Sequence, residues 1–146
     1  MTFSLFIPWL IACDPQTIEI QNQTGLPPDF TMPEEGSTHD YAFIPIDQVK
    51  EAYDNEARFV IIDARPAVDY NLRHITGAYS VPFYEVEDHI NRFPLNEWYV
   101  TYCACPHSES GIVAQALMDA GHVTVGILDE GYLEWEDRGY PTTGVD

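Results

Sequence analysis

Between Tyr102 and Gly111 the chain reads Cys103-Ala104-Cys105-Pro106-His107-Ser108-Glu109-Ser110, which gathers two thiols, an imidazole, two hydroxyls and a carboxylate. The segment follows the run Trp98-Tyr99-Val100-Thr101-Tyr102 and precedes Ile112, Val113, Ala116 and Leu117, an apolar stripe at helical spacing. It therefore joins a buried strand to the N-terminus of a helix. Unbonded backbone N–H groups and the positive end of the helix dipole meet there, a setting that favours a thiolate, the nucleophilic form of cysteine. The same N–H groups suit a persulfide or another anionic adduct. Cys103, directly behind the strand, is the expected nucleophile, with Ser108 and Ser110 as hydroxyl donors and His107 as a nearby imidazole. The plainer alternative is that Cys103 is a small buried hydrophobe.

Cys105 has three open readings: sulfur acceptor, resolving thiol, or loop residue. A disulfide between Cys103 and Cys105 would be strained by the one-residue spacing and hence labile. Cys-x-Cys-x-His could also bind a soft metal, but no fourth ligand is evident, so no metal is expected. The loop holds no Arg, so the bidentate fork that would cradle a phosphate dianion is missing.

The rest of the chain must position this segment. With 146 residues, 45% of them hydrophobic, it can bury one ordinary core. Strands are predicted at Ala42–Ile44, Phe59–Ile62, Tyr79–Val81, Trp98–Tyr102 and Val123–Ile127. Helices are predicted from Asp47, as N-cap, through Tyr53, from Pro66 to Asn71, from Glu85 to Arg92, from the loop to Gly121, and from Tyr132 to Asp137. Strands alternating with helices at this rate imply an α/β fold, a central, mostly parallel five-stranded sheet with helices on both faces and a site at the C-terminal strand ends. Six Lys and Arg against 24 Asp and Glu give a formal charge of −18, which argues against nucleic acid as a partner. His39, His89 and His122 fall where a solvated or capping role is the default.

Met1 to Ala12 is an uncharged apolar run too short to span a bilayer, and it reads as an export signal. Leu10-Ile11-Ala12-Cys13 resembles the lipobox of bacterial lipoproteins, which implies lipidation of Cys13 and membrane contact only through that anchor, with the domain in the periplasm or another extracytoplasmic space. No Lys or Arg precedes the run, a departure from the lipoprotein pattern. Residues 13–40 then form the lipidated Cys and a Pro-, Thr- and Gln-rich flexible linker. The alternative is an arm that docks through Ile18, Ile20, Phe30 and Met32. Residues 41–146 form the domain.

Within that domain, four pieces resemble a single rhodanese-like domain: Asp63-Ala64-Arg65 with Asp69-Tyr70; His74-Ile75-Thr76-Gly77-Ala78 with Val81-Pro82; Tyr102-Cys103 before a helix; and Gly131-Tyr132 with Trp135. The resemblance implies a sulfurtransferase that takes sulfane sulfur onto Cys103 as a persulfide and passes it to a thiol or other nucleophile, without cofactor. Thiosulfate, a persulfide or a polysulfide would be the donor. It implies supporting roles for Asp63 and Arg65, which tie the sheet end to the neighbouring loop, and for His74, which orders the turn before Gly77. The loop departs from the commonest family pattern in its extra residue, its Glu109 in place of a base, and its second thiol. The extra residue resembles the wider loop of rhodanese-like dual-specificity phosphatases, but that loop ends in Arg. Those departures keep two rivals open: a catalytically inactive binding or redox-sensing module, and a thiol-disulfide protein using both Cys103 and Cys105.

Overall fold

The computed structural model describes residues 18, 20, 24–104 and 107–145. The expected leader with Cys13, and Cys105 and Pro106 in the loop, lie outside the described residues. Among the described residues no helix is long and apolar enough to cross a membrane.

Three apolar runs become the middle of the sheet. Strands β2 (Val60–Asp63), β5 (Tyr99–Tyr102) and β6 (Val125–Leu128) are buried at every residue, as strands covered on both faces must be. With β1 (Ala42–Ile44) and β4 (Tyr79–Ser80) they form a five-stranded sheet in the order β1-β6-β5-β2-β4, every neighbouring pair parallel. Cys103 thus follows the central strand.

Period-two alternation divides the core. Ile61, Val100 and Tyr102 face one side, against Val49 and Ala52 of α1 (Ile46–Asp54) and Trp135 of α5 (Gly131–Asp137). Val60, Ile62, Tyr99 and Ile127 face the other, against Val86 of α3 (Val86–His89) and Val113 and Leu117 of α4 (Ser108–Asp119). Helix α2 (Ala67–Leu72) follows β2 and buries no residue.

Several boundaries differ from the sequence reading. Asp47 lies in the first turn of α1 and does not cap it; Pro45 holds the cap position. The Ile46 N–H donates instead to Glu130 Oε2 at 2.8 Å, from a loop far along the chain. Strand β6 starts at Val125, past Val123 and Thr124. A small antiparallel sheet of β3 (Arg73–Ile75) and β7 (Thr142–Gly144) was not expected. The linker is also partly an arm: Ile20 and Phe30 are buried, Met32 packs on the core, and the Ile18 N–H donates to the Arg92 carbonyl at 2.9 Å.

His122 departs furthest from a solvated default, at 1% exposure, with its ring edge-on to Tyr99 and Nδ1 without a hydrogen-bond partner among the described residues. Burial lowers its pKa from the ordinary 6.5, opposed by a hydrogen bond to the Pro94 backbone. The folded protein therefore binds fewer protons there than the unfolded chain, and stability from this group is present above pH 6.5 and lost as pH falls. Tyr132 is shifted the other way, up to about 12, first by burial and then by its hydrogen bond to Glu136. Its contribution holds below the ordinary tyrosine value of 10.0 and fades above it. Urea midpoints measured across pH should show a plateau between these limits, each group changing stability by at most about 1.4 kcal/mol per pH unit. His122→Phe should flatten the descent below about pH 6.5; an unchanged descent would remove His122 as its cause.

Candidate active site

The sheet brings the C-terminal ends of β2 and β5 side by side, with Asp63 paired in register to Tyr102. Cys103 follows at once and is 3% exposed. Its Sγ lies 3.3 Å from Ser110 Oγ, close enough for a hydrogen bond in either direction. Ser110 is fixed in turn, because its carbonyl accepts from Thr101 Oγ1 at 3.0 Å, which ties the first turn of α4 to the strand that delivers the thiol. Helix α4 begins at Ser108, so Ser108, Glu109 and Ser110 belong to its first turn and not to a longer loop. First-turn N–H groups have no carbonyl inside the helix to bond, and this turn reaches Sγ through the Ser110 hydroxyl.

Both ends of the segment are clamped. On the strand side the Tyr132 N–H donates to the Cys103 carbonyl at 2.9 Å, and the Leu133 N–H to the Ala104 carbonyl at 3.4 Å. Gly131 makes that approach possible: its φ is +79°, and a Cβ there would come within 3.1 Å of the Cys103 oxygen. On the helix side His107 adopts a left-handed conformation, φ 79°, uncommon for a residue with a side chain. Its Nε2 lies 2.9 Å from the Asp129 carbonyl and 2.8 Å from the Asp129 carboxylate, while its ring packs on Phe43 at 4.6 Å.

Beneath the segment Asp63, fully buried, accepts from the Arg65 backbone N–H at 3.0 Å, Arg65 Nη2 at 2.7 Å and Tyr102 Oη at 2.6 Å. Tyr102 Oη accepts from the Ile75 N–H at 3.1 Å, and Arg65 Nη2 also donates to the Arg73 carbonyl at 2.7 Å. The guanidinium lies 3.9 Å from the centre of the Tyr132 ring, a cation–π contact. Burial works against the Arg65 charge, but the hydrogen bonds and charge of Asp63 outweigh it and hold the group above its ordinary value. Burial, then the charge of Asp63, keep the Tyr102 phenol protonated well above its ordinary range. His74 sits apart from the thiol, stacked on Tyr70 at 3.8 Å with Nδ1 2.8 Å from the Tyr70 carbonyl. The structure thus gathers Cys103, Ala104, His107 and Ser108 to Ser110 at one strand end, with Asp63 and Arg65 below and His74 outside.

Sequence reasoning missed Asp129 and Phe43 as neighbours of His107, and Tyr102 as the link from Asp63 to β3. Only the register of β2 against β5 reveals the Tyr102 contact, and no local pattern carries it. The Cys-x-Cys-x-His alternative cannot be followed through Cys105, which is outside the described residues, and among those residues no cluster of His, Cys, Asp and Glu has the geometry of a metal site.

A family model for the rhodanese-like domain matches residues 46–138, from α1 to just past α5. The chain belongs to the rhodanese-like domain family. It is 27% identical to the rhodanese-like domain of the Alr3790 protein from Anabaena, over 70% of this chain and 79% of that one, with a TM-score of 0.65. The BH2092 protein from Bacillus halodurans, 23% identical, shares the fold at a TM-score of 0.65 over 70% of this chain and 77% of its own. Among curated proteins, the chain is 32% identical to the HTH-type transcriptional regulator Rv0324 of Mycobacterium tuberculosis, over 56% of its own length and 36% of the regulator's. It is also 32% identical to the uncharacterized protein slr1261 of Synechocystis, over 57% of its own length and 46% of that protein's. The chain spans less than half the length of these two curated relatives.

Proposed function

We propose that this rhodanese-like domain is a sulfurtransferase that carries sulfane sulfur as a persulfide on Cys103. The observation that carries the reading is the placement of Sγ at the end of the central strand, under the first turn of α4 and 3.3 Å from Ser110 Oγ. In the first step the Cys103 thiolate attacks the outer sulfur of a donor R–S–SH. The S–S bond of the donor breaks, its electron pair leaves with R–S⁻, and Cys103 becomes Cys–S–SH. In the second step an acceptor thiolate takes that outer sulfur and Cys103 departs as thiolate, so the cycle has no net oxidation or reduction. Ser110 Oγ and the helix N–H groups stabilise the anionic persulfide between the steps.

Because Phe30 is buried in the core, the test protein should keep residues 14–146. Intact-mass measurement after incubation with glutathione persulfide should show a gain of one sulfur, about 32 Da, absent in Cys103→Ser and reversed by cyanide. Ser110→Ala should slow the loading about tenfold, the cost of one hydroxyl partner to the sulfur. If neither persulfide nor thiosulfate loads Cys103 while the thiol still alkylates, the sulfurtransferase reading gives way to a binding module.

A further inference from the structure

The charges around Cys103 are unlike what an anionic donor requires. From Cys103 to Ser110 the sequence contains no Lys or Arg. Glu109 stands in the first turn of α4, next to the Ser110 that touches Sγ, and is only partly exposed. Arg65 is the neighbouring guanidinium, and its Nε and Nη2 are already engaged by Asp63 and the Arg73 carbonyl. His107 at the other end of the segment is held on the Asp129 carboxylate. Rings flank that imidazole: Phe43, 40% exposed, packs on His107 and, edge-on, on Tyr41 and His39. Aromatic faces attract cations and are indifferent to neutral groups.

We propose that the mouth over Cys103 is a charge filter that admits neutral and cationic sulfane-sulfur donors and turns away dianions, with Glu109 as the residue that sets this preference. The inference rests on the sulfurtransferase reading for its substrate class, but the filter itself is a property of any reaction at Sγ. Burial first, then the charges of Asp69 and Asp63, hold the Glu109 carboxyl above its usual range against the opposing pull of Arg65. Two carboxylates thus act on Glu109 against one guanidinium, and that guanidinium is already bonded to Asp63. The formal charge of −18 on the whole chain adds a repulsion of the same sign, weaker and screened by salt. Thiosulfate would meet both; a persulfide bearing an ammonium group would meet neither.

The test compares two methanethiosulfonates of similar size, one carrying a trimethylammonium and one a sulfonate. Each transfers its thiol group to the Cys103 thiolate as a disulfide and releases methanesulfinate. Rates at Cys103 are read by peptide mass spectrometry on the full chain and divided by those of a small neutral thiol. The cationic reagent should be favoured about tenfold or more over the anionic one, and the preference should shrink as salt is raised. Glu109→Gln should cut the ratio about three- to tenfold, and Glu109→Lys should reverse it, with the urea midpoint of each variant showing that it is folded. A ratio equal to that of the free thiol, a ratio unmoved by both substitutions, or a Cys103 that reacts with neither reagent would overturn the filter. In parallel, cysteamine persulfide should load sulfur faster than thiosulfate, and Glu109→Lys should narrow the gap. A charge preference in the disulfide reaction without sulfur loading from any donor would sink the sulfurtransferase reading and leave the filter standing.

Discussion

Asp63→Ala is expected to lower the unfolding free energy by about 3–5 kcal/mol, the range for removing one partner of a buried ion pair. Asp63 is the acceptor on which the ends of β2 and β5 and the Arg65 turn converge directly, and the end of β3 through the Tyr102 hydroxyl. Without it the Arg65 guanidinium stays buried, left with the Arg73 carbonyl and the rings of Tyr132 and Tyr102. The Tyr102 hydroxyl loses its acceptor and keeps only the donated bond from Ile75. Most of the cost therefore belongs to what remains unpaired, which makes a double variant informative. Asp63→Ala with Arg65→Met should be less destabilised than the sum of the single changes by about 1–3 kcal/mol. Urea denaturation checks both values through the midpoint, at unchanged slope. Strict additivity would show that the pair does not act as a unit.

The residues of this network show what a sequence can and cannot disclose. Val60-Ile61-Ile62 and Tyr99-Val100-Thr101-Tyr102 were legible as strands because burial on both faces removes the need for polar residues, and Cys103 was legible because it stands where the second run meets a helix start. Ser110 could be named from its place in the first turn, but its contact with Sγ depends on how α4 leans on β5, which Thr101 fixes. Arg73-His74-Ile75 and Thr142-Thr143-Gly144 carry no alternation, and each becomes a strand only because the other lies beside it across the length of the domain. The Glu130 cap on α1 is of the same kind: a helix end whose partner lies 84 positions away cannot be recognised locally. His122 was misread because a histidine after Gly121 looks like turn chemistry, whereas the Tyr99 ring that covers it comes from the centre of the sheet. Short-range pattern thus placed the nucleophile and the layers, and long-range packing decided which polar groups support them.

Trp135→Ala is expected to destabilise the protein by about 3–5 kcal/mol and to loosen the site from behind. The indole is fully buried, lies edge-on to Tyr53 at 5.7 Å and Tyr140 at 5.1 Å, and donates from Nε1 to the Pro141 carbonyl at 3.0 Å. Truncation opens a cavity between α5, α1 and the chain leading to β7, and the loss scales with how little those elements can close it. The lost hydrogen bond adds little, because the Pro141 carbonyl still accepts from the Thr76 N–H at 3.1 Å. Trp135→Phe, which keeps most of the ring contacts, should therefore cost only about 1–2 kcal/mol. The functional consequence follows from the other end of the same helix, where the Tyr132 and Leu133 N–H groups hold the carbonyls of Cys103 and Ala104. Hydrogen exchange at those two amides should quicken in Trp135→Ala beyond the change at β2, and sulfur loading on Cys103 should slow in the same variant. Equal acceleration at β2 would mean that the helix transmits only global instability, and that its hold on the Cys103 segment does not depend on the indole.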